Sequence, residues 1–170
     1  METERLILRK FEEKDLEDLF EYLSNPNVVK HEPYKALNLE ETKDNLNYRI
    51  TSNEFIAVEL KNIHKVIGNI YLGQRDFNSM ELGYVFNDQY QKQGYATEAC
   101  SAIISDTFSH NTHRIYAECD PQNQDSWHLL ERLGFTREAY LKENVYFWTD
   151  EEGQPIWKDT YIYSLLNPGK

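Results

Sequence analysis

Long apolar runs are missing from this sequence. No stretch of about 18 apolar residues occurs among its 170 residues, although a membrane-spanning helix needs one. The opening residues, METERLILRKFEEKD, also lack the charged segment followed by an apolar one that marks a signal peptide. We therefore expect a cytoplasmic protein with no membrane partner.

Cysteine is scarce as well. The only two cysteines, Cys100 and Cys119, lie too far apart for the close-spaced pairs that zinc sites use, and as a disulfide they could pair only with each other. Two isolated thiols favour a reducing compartment. We expect neither a disulfide nor a metal site.

Basic residues are outnumbered by acidic ones, 18 against 29, which gives a net charge of -11. A surface of that sign repels a phosphate backbone, so a nucleic-acid partner is not expected. The same charge attracts cationic substrates, but an acidic surface also serves solubility alone. The net charge therefore argues against nucleic acid as a partner, and it leaves a cationic substrate open without identifying one.

Linkers, repeats and low-complexity tracts are absent too, and the composition is 40% hydrophobic and 14% aromatic. That is enough apolar material for one core and too little for two ordinary domains. We expect a single domain over residues 1–170, with a monomer or a homodimer both open.

The first half of the chain shows helix and strand patterns in alternation. RLILRKF reads as a strand, and KDLEDLFEYLS carries apolar residues at helical spacing. Asn38 and Glu41 have the spacing of a capping box for a helix that runs toward Ile50. The segment EFIAVELKNIHKVIGNIYLG predicts two strands joined at residues 61–62, and MELGYVF predicts a third. Three strands in succession indicate an antiparallel meander.

The second half begins with the clearest helix of the sequence, which follows Gly94. Its apolar residues recur at helical spacing from Ala96 to Phe108. HRIYAEC reads as a strand and NQDSWHLLERLGF as a helix ended by Gly134. YLKENVYFW and PIWKDTYIYSLL read as the two strands of a closing hairpin. The pattern predicts a mixed α/β fold.

The segment YQKQGYATEA, residues 90–99, places one glycine at the start of that helix. The first amides of a helix have no internal partner and lie at its positive end. Gly94 lets a ligand approach the backbone, and Ala96 keeps the next turn free of bulk. Neither a nucleotide P-loop nor a dinucleotide fingerprint is present. The pattern suits an anion that is held but not cleaved, although an ordinary helix start looks the same.

A family resemblance supports the ligand interpretation. QKQGYA, residues 91–96, matches the Q/R-x-x-G-x-G/A signature of the GNAT superfamily of acyl-CoA-dependent N-acyltransferases, and the common ATEA follows. TERLILR, ELGYVF, NQDS with LLERLGF, and KDTYIYSLL resemble the RimJ/RimL-type branch, the ribosomal-protein N-terminal acetyltransferases. Together these segments extend over nearly the whole chain in the right order.

The resemblance implies an α/β (α+β) domain whose mostly antiparallel mixed sheet is splayed between its fourth and fifth strands, with helices on both faces. It implies acetyl-CoA in that gap and no metal. The implied cofactor contacts are a strand edge and the glycine loop with the residues that follow it, namely Tyr84, Val85, Phe86, Gln91, Lys92, Gln93, Gly94, Tyr95, Ala96, Thr97, Asn123 and Ser126.

The implied reaction is direct attack of an amine on a thioester in a ternary complex. A backbone amide near Val85 or Phe86 is the expected donor to the carbonyl oxygen, and one hydroxyl is needed for the leaving thiolate. By resemblance that hydroxyl belongs to Ser126, and Asn123 holds the pantetheine arm. Both residue types are also ordinary helix caps.

The proton acceptor is less clear from the sequence. Glu81 is the first candidate, since it lies on the strand beside the gap and shares a face with Gly83 and Val85. Some relatives have a glutamate in the strand after the last helix, where this chain has Val145 with Glu143 two residues away. His31 and Tyr34 belong to the segment that covers the acceptor in this branch. We therefore expect His31, Tyr34 and Glu143 on the substrate side.

The resemblance predicts an N-acetyltransferase that acts on a primary amine. A protein N-terminus is the expected acceptor, and a polyamine or an aminoglycoside is the alternative. An α-amino group, with a pKa near 8, needs little help to lose its proton, whereas a lysine-like amine needs a base. A catalytically silent acyl-CoA sensor remains a different class of function.

Overall fold

The computed structural model describes residues 1–169 of the chain. It contains five α-helices in this part, which are α1 (Leu16–Leu23), α2 (Pro26–Val29), α3 (Leu39–Thr51), α4 (Tyr95–Ser109) and α5 (Gln124–Arg132). Its strands are β1 (Leu6–Arg9), β2 (Phe55–Leu60), β3 (Lys65–Arg75), β4 (Ser79–Phe86), β5 (Arg114–Cys119), β6 (Thr136–Thr149) and β7 (Pro155–Leu166).

The local signals in the sequence explain most element boundaries. The Asn38 side chain accepts from the Glu41 amide and the Glu41 carboxylate accepts from the Asn38 amide, so the predicted capping box starts α3. Gly134 follows α5 with a φ of 88°. Three details differ from the prediction. Helix α2 is additional, β6 begins earlier than the predicted hairpin, and residues 61–64 rather than two residues join β2 to β3.

The seven strands form one sheet in the order β1-β2-β3-β4-β5-β7-β6. Only the β4–β5 pair is parallel, and all other neighbours are antiparallel. The mixed, mostly antiparallel sheet is confirmed. Strand β7 lies between β5 and β6, so the closing hairpin adds to the sheet through its second strand.

The sheet opens between β4 and β5. Their ladder runs only from Ser79 opposite Arg114 to Glu81 opposite Tyr116, and residues 82–86 and 117–119 then diverge. The register between β3 and β4 continues without a shift as far as Gly68 opposite Phe86. The predicted splay is therefore present, and it arises because β5 leaves β4 to follow β7.

Helices cover both faces of the sheet and divide the core into two. Helices α1 and α3 pack on one face, where Leu19, Leu46 and Val85 are buried together. Helices α4 and α5 pack on the other, with Leu82, Ile103 and Leu130. Because side chains alternate along a strand, Glu81, Gly83 and Val85 belong to the α3 face, and Leu82, Tyr84 and Phe86 to the α4 face.

Both thiols are free, and burial raises the pKa of Cys100 and of Cys119 to about 12. No group of three or more metal-ligating side chains is found within residues 1–169. None of the helices that the structure describes is long and apolar enough to cross a membrane.

Candidate active site

A cleft of about 1140 Å³ occupies the gap between β4 and β5. The separated strand edges form its walls, the start of α4 closes one end, and residues from α2, α3 and β7 reach the other. Of the residues predicted for the site, all except Gln93 and Glu143 line this cleft.

The start of α4 presents free amides to the cleft. Gly94 is its N-cap with a φ of 84°, and Lys92 also has a positive φ, of 60°. The first intrahelical bond is donated by Glu98 to the Gly94 carbonyl. The amides of Tyr95, Ala96 and Thr97 donate to no acceptor within residues 1–169. Unpartnered amides at the positive end of a helix form an anion site.

Arg5 holds the glycine loop from outside. Its Nε lies 2.7 Å from Glu98 Oε2, its Nη1 donates to the Gln93 carbonyl at 3.0 Å, and its guanidinium stacks 4.3 Å above the Tyr95 ring. A Cβ on Gly94 would lie 3.3 Å from Arg5 Nη2. Sequence reasoning assigned no such role to Arg5, because the contact joins residues almost 90 positions apart.

Two glutamines brace the same loop. Gln91 Nε2 donates to the Phe86 carbonyl at 3.0 Å and so fixes the loop to the end of β4. Gln93 Nε2 donates to the Gln89 carbonyl at 3.1 Å and lies outside the cleft lining. The Gln93 side chain therefore braces the loop, and the expected contact of its backbone amide with a ligand stays a prediction.

The β4 edge offers backbone groups to the gap. The Asn87 amide donates to the Ile67 carbonyl at 2.9 Å, and inter-strand bonds alternate along an antiparallel ladder. Val85 therefore directs its N–H toward β3, whereas Tyr84 and Phe86 direct theirs toward the gap. Of the two amides predicted as oxygen donors, the alternation favours Phe86.

Ser126 and Tyr84 form a hydroxyl pair inside the cleft. The Tyr84 hydroxyl lies 2.9 Å from the Ser126 carbonyl oxygen and 3.0 Å from Ser126 Oγ. Because a carbonyl only accepts, the single Tyr84 proton goes to it and Ser126 Oγ donates to the Tyr84 oxygen. Burial raises the pKa of Tyr84 well above 10, despite the Ser126 hydrogen bond, so Tyr84 is neutral.

Asn123 caps α5. Its Oδ1 accepts from the Ser126 amide at 3.2 Å, which is the ordinary function of asparagine at a helix start. The two residues of the NQDS motif thus differ in role, since the Ser126 side chain makes no capping bond and is available to the cleft.

Two glutamates flank the point where β4 and β5 separate. Arg75 donates to Glu81 Oε2 from Nη2 at 2.6 Å and from Nε at 3.0 Å. The carboxylate of Glu118, on β5, has no hydrogen-bond partner in the part of the chain that the structure describes. Partial burial and the nearby Glu81 charge raise the pKa of Glu118. Sequence reasoning missed Glu118, although an acidic residue in an otherwise apolar strand was a usable signal.

His31 lines the end of the cleft that residues from α2, α3 and β7 reach. Its Nδ1 lies 3.1 Å from Asp120 Oδ2, to which Lys158 Nζ also donates at 2.6 Å. Burial opposes the ionisation of Asp120, but Lys158, the Gln122 amide and His31 together lower its pKa. The pair joins the segment after α2 to the end of β5.

Tyr34 and Glu143 were predicted on the same side. Tyr34 is half-buried in the cleft wall, and burial raises its pKa. Glu143 is exposed at an irregular point of β6, with a φ of 45°, and its amide donates to Asp159 Oδ1 at 2.8 Å. Glu143 does not line the cleft, whereas Val145 does.

Comparison with known proteins gives close matches along the whole chain. The uncharacterized N-acetyltransferase YnaD of Bacillus subtilis is 36% identical over 170 residues, covering 96% of this chain and 95% of YnaD. A crystal structure of a GNAT-family acetyltransferase from Bacillus anthracis is 33% identical and covers 98% of both chains with a TM-score of 0.89.

Relatives with a named acceptor are more distant and of two kinds. The ribosomal protein uS5-alanine N-acetyltransferase of Escherichia coli is 34% identical over 93 residues, 54% of this chain and 45% of the relative. The spermidine N(1)-acetyltransferase of Vibrio cholerae is 26% identical over 149 residues, 84% of this chain and 85% of the relative.

The acetyltransferase (GNAT) domain model matches residues 5–136, which include the glycine loop, both edges of the gap and α5. GNAT enzymes use acetyl-CoA as acyl donor. With its splayed sheet and open helix start, this chain belongs to the GNAT family of N-acetyltransferases.

Proposed function

We propose that the protein transfers the acetyl group of acetyl-CoA to the α-amino group of a peptide, as a RimJ/RimL-type enzyme. The observation that carries the proposal is the gap itself. It places the open β4 edge between the free amides of α4 and the hydroxyl of Ser126. The spermidine and uS5-alanine relatives show that acceptor class varies among similar proteins, so the acceptor is argued from the site.

The residues present fit a coenzyme A thioester. The amides of Tyr95, Ala96 and Thr97 are free to receive the pyrophosphate, and Lys92, which also lines the cleft, adds a positive charge. The amide groups of a pantetheine arm can pair with the exposed backbone of Tyr84 and Phe86 as an added strand. The bound thioester supplies an activated acyl group.

Ser126 is the proposed proton donor to the leaving thiolate. As the amine nitrogen bonds to the acyl carbon, the carbon–sulfur bond breaks and the sulfur gains negative charge, which a hydroxyl donor stabilises. The Ser126 proton is directed to the Tyr84 oxygen at 3.0 Å. Rotation of this hydroxyl toward the sulfur leaves the Tyr84 hydrogen bond to the Ser126 carbonyl intact.

The proton of the incoming amine has two carboxylate acceptors nearby. Glu81 remains the first candidate, although both Arg75 bonds occupy its Oε2. Glu118 has no such partner. An α-amino group with a pKa near 8 is partly neutral at pH 7, so it needs little help from a base to lose its proton. A Glu81 that is paired with Arg75 therefore fits such an acceptor.

A polyamine is the second candidate. Glu118 and Glu32, two carboxylates that line the cleft, lack a hydrogen-bond partner among residues 1–169, and unpaired carboxylates attract a cation. A polyamine amine has a pKa near that of lysine, so its reaction depends strongly on a base.

An acceptor panel tests the proposal. Thiol release is followed with acetyl-CoA and N-terminal peptides, spermidine or an aminoglycoside, from pH 6 to 10. For a peptide we expect the rate at limiting acceptor to level off near pH 8, and Glu81→Gln to cost less than about tenfold.

A hundredfold loss on peptides in Glu81→Gln, or turnover of spermidine without any peptide turnover, would favour the polyamine. Binding of acetyl-CoA with no turnover of any amine would identify a silent sensor instead. The same assay on Glu118→Gln shows which carboxylate receives the proton.

A further inference from the structure

Arg49 of α3 is a buried cation in the wall of the cleft. The residue is only 3% exposed, yet it lines the same cavity as Glu81 and Ser126. A buried charge is costly unless it is paired. The hydrogen-bond partners of the Arg49 guanidinium therefore show whether the fold supplies all of its acceptors or leaves some to a ligand.

The fold provides acceptors for only some of the N–H donors of this guanidinium. Arg49 Nε donates to Asn45 Oδ1 at 2.5 Å, and the group stacks 4.4 Å from the Phe55 ring and 5.4 Å from the Phe11 ring. Arg49 Nη1 is buried with no hydrogen-bond partner among residues 1–169. The two rings provide no oxygen acceptor, so the Nη1 donors remain without a hydrogen bond.

No side chain among residues 1–169 accepts a hydrogen bond from Arg49 Nη1. The Arg49 charge acts on Glu32, but the two residues make no ion pair, and burial raises the pKa of Glu32 to about 7 against the effect of that charge. Tyr22 donates its proton to Asn69 Oδ1 at 3.0 Å. Tyr34, the other titratable group that faces Arg49, is neutral because burial raises its pKa.

The position of Arg49 assigns it to the acceptor. Phe55, on which it stacks, is paired with Tyr71, and Tyr71 is paired with Gly83 of β4. These side chains share the α3 face with Glu81, whereas the Tyr84–Ser126 pair belongs to the α4 face. The free amides that suit the pyrophosphate also lie at α4. This cation is therefore separate from the groups that hold the acyl donor.

We propose that Arg49 binds a carboxylate of the acceptor, so that the preferred substrates are primary amines that also carry a carboxylate. The inference rests on the proposed acetyl transfer in the adjoining gap. Nη1 is buried without a partner, and Nη2 donates to no acceptor among residues 1–169. These two terminal nitrogens of a planar fork match a carboxylate. The group would come from an acidic side chain near a peptide N-terminus or from the α-carboxylate of a free amino acid. A polyamine has no such group and is repelled by Arg49.

Matched acceptors test the subsite. Peptides that begin Ala-Glu are compared with otherwise identical peptides that begin Ala-Gln, and glutamate and leucine are compared with their amides. We expect kcat/KM to favour the carboxylate form about tenfold to a hundredfold in the wild type. Arg49→Gln should reduce that preference to less than about twofold, mainly through KM, while turnover of the neutral form stays within about threefold.

Two variants control for folding. Arg49→Lys keeps the charge without the fork and should retain part of the preference. Arg137→Gln removes an arginine that stacks on Tyr161 at 4.3 Å outside the cleft, and it should keep the full preference. Thermal unfolding of each variant checks its integrity.

The outcomes separate the two proposals. Equal use of the acid and amide forms in every pair, peptides and amino acids alike, would overturn the Arg49 subsite and leave peptide acetylation standing. Turnover of free amino acids that prefers the acid form, with no peptide turnover, would overturn peptide acetylation and leave the Arg49 subsite standing. If no amine is acetylated, calorimetry of the CoA-loaded protein with the same acid and amide pairs, leucine and its amide included, decides the matter, and equal affinities within every pair would overturn the subsite.

Discussion

Ser126 and Asn123 lie within one turn at the start of α5, and their contacts separate catalysis from capping. Ser126→Ala removes a hydroxyl that makes no cap, so we expect turnover to fall roughly a hundredfold with little change in acetyl-CoA affinity. Asn123→Ala should cost about 0.5 to 2 kcal/mol of stability instead. Steady-state kinetics and thermal unfolding distinguish the two. Near-normal turnover in Ser126→Ala would remove it as the proton donor.

Glu32 makes stability depend on pH. Burial raises its pKa to about 7 from an ordinary value of 4.5, so the folded state binds its proton more tightly than the unfolded state. Its contribution is full below pH 4.5 and is lost as the pH rises to about 7. Glu32→Gln should therefore unfold at a higher temperature than wild type at pH 8, with the difference shrinking toward pH 5. A difference independent of pH would contradict this interpretation.

At the scale of elements, the start of α4 is the proposed binding site for the pyrophosphate of the acyl donor. Gly94→Asp places a carboxylate at the anion site and next to Arg5, at a φ that L residues rarely adopt. We expect acetyl-CoA affinity to fall at least tenfold. Gly94→Asn is the matched control, because asparagine has the same shape without the charge and tolerates the left-handed conformation. Equal calorimetric affinities for the two variants would exclude the charge effect.

At the scale of the whole molecule, a sheet divided by a cleft should be stabilised by what fills it. A ligand that binds only the folded state contributes about 2.7 kcal/mol at a hundred times its Kd. For a domain of this size that corresponds to a rise in Tm of roughly 5 to 10 °C. Thermal unfolding with excess acetyl-CoA measures the rise, and Gly94→Asp at the same concentration should lose most of it. A rise preserved in that variant would place the ligand elsewhere.

The sequence by itself determined the elements and the family. The Asn38 and Glu41 capping box, the stop at Gly134 and the apolar spacing of α4 are local signals, because each acts within a few residues of its own position. The glycine loop at residues 91–96 was recognisable for the same reason. Its ligand chemistry follows from backbone geometry at a helix start, which needs no distant partner.

The tertiary structure decided everything that depends on distant contacts. The Tyr84–Ser126 pair spans 42 positions. A strand pattern cannot show that Arg75 donates hydrogen bonds to the Glu81 carboxylate or that β7 lies between β5 and β6. The sequence spacing could not show that Asn123 caps α5 through the Ser126 amide, whereas its expected contact with pantetheine stays a prediction. Arg49 reads as a polar helix residue in the sequence. Only the packing of α3 against Phe11 and Phe55 buries it and leaves its Nη1 without a hydrogen-bond partner, because burial depends on which elements meet.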